Sequence, residues 1–122
     1  MIQLGGLAIR AISVGGLETC IELPGHKLAF DIGRCPRTAV ALPTILFTHA
    51  HVDHMGGAVF HCATRGLMGM KPPTYLMPEE NVVAFGDMLD AWRRLDRSDL
   101  ACEIIGMKPG ARHRDPRPPP RR

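Results

Sequence analysis

Residues 7–107 read as an α/β layer fold on three counts. Short apolar, β-branched runs bounded by glycine and proline fill residues 7–48. Helical periodicity and short strand-like runs then alternate from residue 58 to residue 107. Between them, residues 44–48 (TILFT) are apolar with almost no alternation, the pattern of a strand covered on both faces. Strands followed by alternating helices and strands are characteristic of layered α/β domains.

The elements follow in order. LAIRAISV, residues 7–14, is the first strand, broken by Gly15-Gly16. TCIEL (19–23) is the second, closed by Pro24-Gly25, and KLAFD (27–31) is the third, so these two pair as a hairpin. TILFT follows Pro43 as the buried strand. Beyond Gly56-Gly57, Ala58, Cys62 and Arg65 lie at helical spacing, with Gly66 as the stop. Lys71-Pro72-Pro73 is a rigid connector into a short strand, TYLM (74–77). From Pro78 a helix places Val82, Phe85, Leu89, Trp92 and Leu95 on one face, with Glu79 and Glu80 in its first turn, where negative charge suits the dipole. CEIIGM (102–107) is the last strand.

Composition narrows the function classes. A chain of 122 residues, 45% hydrophobic and 22% charged, holds one core and is not wholly disordered. No stretch reaches the roughly 18 uncharged apolar residues of a membrane helix. The opening MIQLGGLAIR lacks a basic start followed by an apolar block, so no membrane partner and a cytoplasmic location are expected. The net charge of +3 is no sign of a basic face, because five arginines stand against Asp115 alone in residues 112–122 and the body is close to neutral. Cys20, Cys35, Cys62 and Cys102 form no CxxC pair and read as reduced, mostly buried thiols.

One segment carries chemistry: Thr48-His49-Ala50-His51-Val52-Asp53-His54-Met55-Gly56-Gly57. His49 and His51, two apart at a strand end, point to the same side and can grip one metal ion. Asp53 and His54 follow where the chain turns into a helix and can reach a second ion. Imidazole nitrogen with carboxylate oxygen suits zinc, and also manganese or iron. The paired glycines allow a sharp turn behind the ligands. Asp31, taken alone, has a turn-initiating role as its alternative reading.

The HxHxDH motif resembles the metallo-β-lactamase superfamily, and FDIG at 30–33 resembles that superfamily's earlier motif, whose aspartate braces the histidine loop. FDIGRCP (30–36), FTHAHVDHMGG (47–57), ATRGL (63–67), MKPPT (70–74) and RRLDRSDL (93–100) together resemble short-form ribonuclease Z, most of all the plant nuclear type and its bacterial relatives. The likeness runs from about residue 10 to residue 110. It implies the N-terminal half of an αβ/βα sandwich over residues 1–109, while residues 110–122, rich in arginine and proline, read by composition as a disordered tail. It implies a zinc-dependent endonuclease that removes the 3′ trailer from precursor tRNA, working as a homodimer when complete. Of two Zn²⁺ ions, His49 and His51 would bind the first, and Asp53 and His54 the second. Asp53 would also orient or deprotonate the attacking water, and Asp31 would brace the loop.

Three further ligands of that pattern, a histidine, a bridging aspartate and a final histidine, have no counterpart downstream, nor does the arm that grips tRNA. His61 reads as a helix-face residue and His113 falls in the tail. The expectation is therefore a truncated or frame-shifted fragment with two ligands per metal, weak zinc binding and impaired activity. Two other readings stay open: a hydrolase of the same fold acting on another ester or phosphodiester, and a non-catalytic remnant or partner half.

Overall fold

The computed structural model of the chain describes residues 2–114. Seven strands form one sheet in sequence order: β1 (Ile2–Leu4), β2 (Leu7–Val14), β3 (Glu18–Leu23), β4 (Leu28–Phe30), β5 (Thr44–Leu46), β6 (Thr74–Pro78) and β7 (Glu103–Met107). Three helices are described: α1 (Val52–Met55), α2 (Ala58–Leu67) and α3 (Val82–Asp96). β1 to β4 are antiparallel neighbours and β4 to β7 are parallel. The β1–β2 hairpin turns on Gly5 and Gly6, both at positive φ, which two-residue hairpins require.

The parallel strands advance in one direction across the sheet. Right-handed crossovers then put every connection on the same face. Ala29, Ile45 and Tyr75, paired residue to residue across β4, β5 and β6, lie on that face and are wholly buried. Phe47, Tyr75 and Phe85 of α3 close over it, with ring centroids 5.5–5.9 Å apart. Each such side chain contributes about 1.5–3 kcal/mol by burial. A second apolar row, Phe30, Leu46, Leu76 and Ile105, runs in register along the opposite face. Phe30, Leu46 and Ile105 remain half-buried, and Phe30, Leu46 and Leu76 line a shallow cleft of about 540 Å³.

Every strand and long helix expected from the sequence is present, and β1 is an addition. Four details differ. The KLAFD strand stops at Phe30 because Asp31 turns away at φ +63. β5 ends at Leu46, although the Phe47 N–H still donates to the Leu76 carbonyl at 2.8 Å. Gly66 does not stop α2; the helix runs to Leu67, and Gly69 at φ +71 supplies the left-handed residue beyond it. The apolar stripe of α3 is buried at Phe85 and Leu89, but Trp92 and Leu95 are exposed. Its inward face continues instead through Arg93, which donates to the carbonyls of Asp99 and Leu100 at 2.7 and 2.8 Å and so turns Trp92 and Leu95 outward.

All four cysteines are free, with Cys20, Cys35 and Cys62 buried and Cys102 half-buried. No helix among the described residues is long and apolar enough to cross a membrane. Residues 111–114 are exposed and lack regular structure, and the rest of the expected tail, 115–122, lies outside the described residues.

Candidate functional site

β4 and β5 run side by side and end together, so the segments leaving them meet at the C-terminal edge of the parallel strands. Open α/β sheets place their sites there. Asp31 leaves β4, while the histidine loop and α1 leave β5. At φ +63, a left-handed conformation that aspartate tolerates, Asp31 sends its carboxylate into the loop.

Asp31 is 2% exposed. Its Oδ1 accepts the Thr48 backbone N–H at 2.9 Å. Its Oδ2 accepts the Thr48 hydroxyl at 2.8 Å and His54 Nδ1–H at 2.9 Å. A buried carboxylate is costly without such partners, so these bonds fix the loop and the carboxylate together. The backbone locks the same join: Ile32 N–H donates to the His54 carbonyl at 2.8 Å, and Gly57 N–H to the Ile32 carbonyl at 3.0 Å. The approach is so close that a Cβ on Gly33 would overlap the Asp53 carbonyl, and one on Gly57 the Ile32 carbonyl.

The network also assigns histidine tautomers. The single hydroxyl proton of Thr48 goes to Asp31, so the Thr48 oxygen accepts from His49 Nδ1–H at 3.0 Å. His54 likewise spends its Nδ1–H on Asp31. Each ring thus spends its Nδ1 within the loop and keeps Nε2 as the nitrogen that could reach a metal ion. The His49 ring lies 3.9 Å from that of His54 and 4.5 Å from that of His51, centroid to centroid. Asp53 Oδ2 is 3.4 Å from His54 Nε2. His51 is exposed at the start of α1, where its carbonyl accepts the N–H groups of His54 and Met55.

The fold thus gathers His49, His51, Asp53, His54 and Asp31 at one sheet edge. The His49 ring lies against both other imidazoles, and the carboxylates of Asp31 and Asp53 both face His54. In kind, imidazole nitrogen and carboxylate oxygen fit zinc. In number they stop short of a cage: no three His, Cys, Asp or Glu groups among the described residues are arranged to hold an ion.

His61 is a core residue of α2, wholly buried. Its Nε2–H donates to the Leu42 carbonyl at 2.9 Å and its Nδ1 accepts from the Tyr75 hydroxyl at 2.7 Å. Burial pushes its pKa down to about 4, and the nearby Arg65 charge adds to this. His113 is exposed and far down the chain from the loop. Sequence reasoning missed the part played by Thr48, which relays Asp31 to His49; a hydroxyl directly before the first histidine was the available signal. It also missed Arg65, buried on α2, whose guanidinium holds the carbonyls of Val40 and Lys71 at 2.9 and 2.8 Å.

The class these features define is an α/β protein with an aspartate-braced histidine loop at the edge of a parallel sheet. No family model matches the chain. It is 40% identical over 109 residues to tRNase Z TRZ1 of Arabidopsis thaliana, a match covering 89% of this chain and 39% of that protein. It is 39% identical over 109 residues to the nuclear ribonuclease Z of Triticum aestivum, covering 89% of this chain and 62% of that one. It is 38% identical over 109 residues to the chloroplastic tRNase Z TRZ2 of Arabidopsis thaliana, covering 89% of this chain and 31% of that one. The chain is a relative of the ribonuclease Z proteins and spans less than two thirds of the length of each.

Proposed function

We propose that this chain carries one half of a ribonuclease Z-type active site, in a zinc-dependent endoribonuclease that removes 3′ trailers from precursor tRNA. The observation that carries the reading is the Asp31 brace, which holds Thr48 and His54 Nδ1, while Thr48 in turn holds His49 Nδ1. His49 and His51 would hold one ion, and Asp53 and His54 a second. When bound, zinc supplies Lewis acidity toward the phosphodiester and makes an attacking water acidic near neutral pH. Asp53, 3.4 Å from His54 Nε2 and only partly buried, would help hold the ion and would be the group placed to orient or deprotonate an attacking water. Asp31 and Thr48 keep the imidazoles from rotating out of line.

The half-covered sheet supports the wider reading of the fold as one half of an αβ/βα sandwich. The Phe30, Leu46 and Ile105 row is apolar yet half-buried, and the curated relatives are longer than the matched segment. The shortage of converging donors supports impaired activity for these residues alone. The test is cleavage of a precursor tRNA with a 3′ trailer, with zinc added, beside the wheat relative. The chain is expected to cleave at least about a thousandfold more slowly, a barrier difference of about 4 kcal/mol. Asp53→Ala is expected to remove what remains. Turnover within tenfold of the relative would overturn the half-site reading, and hydrolysis of a thioester but not of bis(p-nitrophenyl) phosphate would overturn the phosphodiesterase reading.

A further inference from the structure

Away from the histidine loop, α2 and the segment entering β7 bring two thiols together. Cys62, on the inner face of α2, is 2% exposed and places its Sγ 3.6 Å from the Ala101 carbonyl. That carbonyl belongs to the peptide leading into Cys102, and the two thiols lie close enough to shift each other's ionisation. Cys102 is half-buried, and Cys62 lines a cleft of about 650 Å³ between α2 and residues 96–101, large enough to admit a small oxidant. We propose that Cys62 and Cys102 are a redox site that closes to a disulfide when the folded chain meets a peroxide.

The surroundings assign the roles. Cys102 lies beside Cys62, and the cations Arg93 and Arg65 are near. Together these favour the Cys62 thiolate despite burial. Cys102 is pushed the opposite way, chiefly by its closeness to Cys62 and by burial, and keeps its proton. The other cysteine pair is the internal contrast: burial pushes Cys20 up to about 12 and Cys35 to about 11, so neither supplies thiolate at neutral pH.

The chemistry balances with hydrogen peroxide as the two-electron oxidant. The Cys62 thiolate attacks one peroxide oxygen, the O–O bond breaks, and the departing hydroxide is protonated to water, leaving a sulfenic acid on Cys62. The Cys102 sulfur then attacks the Cys62 sulfur and gives up its proton, and the sulfenic hydroxyl leaves as the second water. Two thiols and one peroxide become one disulfide and two waters. The new bond ties α2, which directly follows the histidine loop, to the entrance of β7.

The folded 122-residue chain treated with a few equivalents of hydrogen peroxide, alkylated and digested, is expected to yield a Cys62–Cys102 linked peptide that a thiol reductant releases. Cys20 and Cys35 are expected to remain alkylated, with Cys62 lost at least tenfold faster than either. In Cys102→Ser, where the resolving sulfur is absent, Cys62 is expected to be captured by dimedone as a sulfenic acid. A Cys20–Cys35 link forming first, oxidation of Cys102 without a cross-link, no dimedone adduct at Cys62, or thiol loss only in denaturant would each overturn the proposal.

Discussion

Acid is expected to weaken this fold through His61. The imidazole is wholly buried between the Leu42 carbonyl and the Tyr75 hydroxyl, and burial lowers its pKa from 6.5 to about 4. The folded value lies below the unfolded one, so between pH 6.5 and about 4 the unfolded chain binds a proton that the folded chain refuses. Stability from the neutral ring is complete above about pH 6.5, declines by up to about 1.4 kcal/mol per pH unit, and is gone below about pH 4. The whole window amounts to about 3 kcal/mol. Urea unfolding followed by the single tryptophan, Trp92, measures it at pH 7.5 and pH 4. His61→Gln keeps an amide donor and a carbonyl acceptor but does not titrate. It is expected to start less stable and then to lose about 3 kcal/mol less than the natural chain on acidification. Equal losses in the two proteins would show that His61 does not titrate as described.

Other substitutions test the loop and its packing. Asp31→Ala removes the acceptor for two Thr48 donors and for His54 Nδ1–H, and is expected to cost about 3 kcal/mol in chemical denaturation. A loss under about 1 kcal/mol would mean that water replaces the carboxylate. Gly57→Ala forces a Cβ against the Ile32 carbonyl and within 2.6 Å of the Cys35 nitrogen, so expression in inclusion bodies or a markedly lower melting temperature is expected. Gly66→Ala, within α2 and with nothing near the added carbon, is expected to raise stability by about 1 kcal/mol.

Much of the site was legible because its donors are close in sequence. His49 to His54 span a few residues after an apolar strand, so alternation and helix entry suffice to gather them. Asp31 was legible only through its likeness to a known motif, since no local pattern says that the ends of β4 and β5 coincide; parallel pairing decides that. The role of Thr48 depends on which acceptor takes its one proton, and spacing carries no such information. Periodicity likewise showed that α3 has an apolar face but not how much of it meets a partner. Arg93 reaches back to the Asp99 and Leu100 carbonyls and turns Trp92 and Leu95 into solvent. Gly66 was misread for a related reason: a glycine stops a helix only where the chain needs left-handed backbone, and that position is Gly69. The pairing of Cys62 with Cys102 joins residues far apart in sequence and left no signal at all.

Zinc titration of the folded chain against a competing chelator near pH 7 is the most direct test of the half-site. Two donors per ion are expected to hold zinc no more tightly than about 1 μM, and His49→Ala is expected to weaken even that. Two zinc ions bound per chain with nanomolar affinity would contradict it, because the described residues would then be completing the cage by themselves.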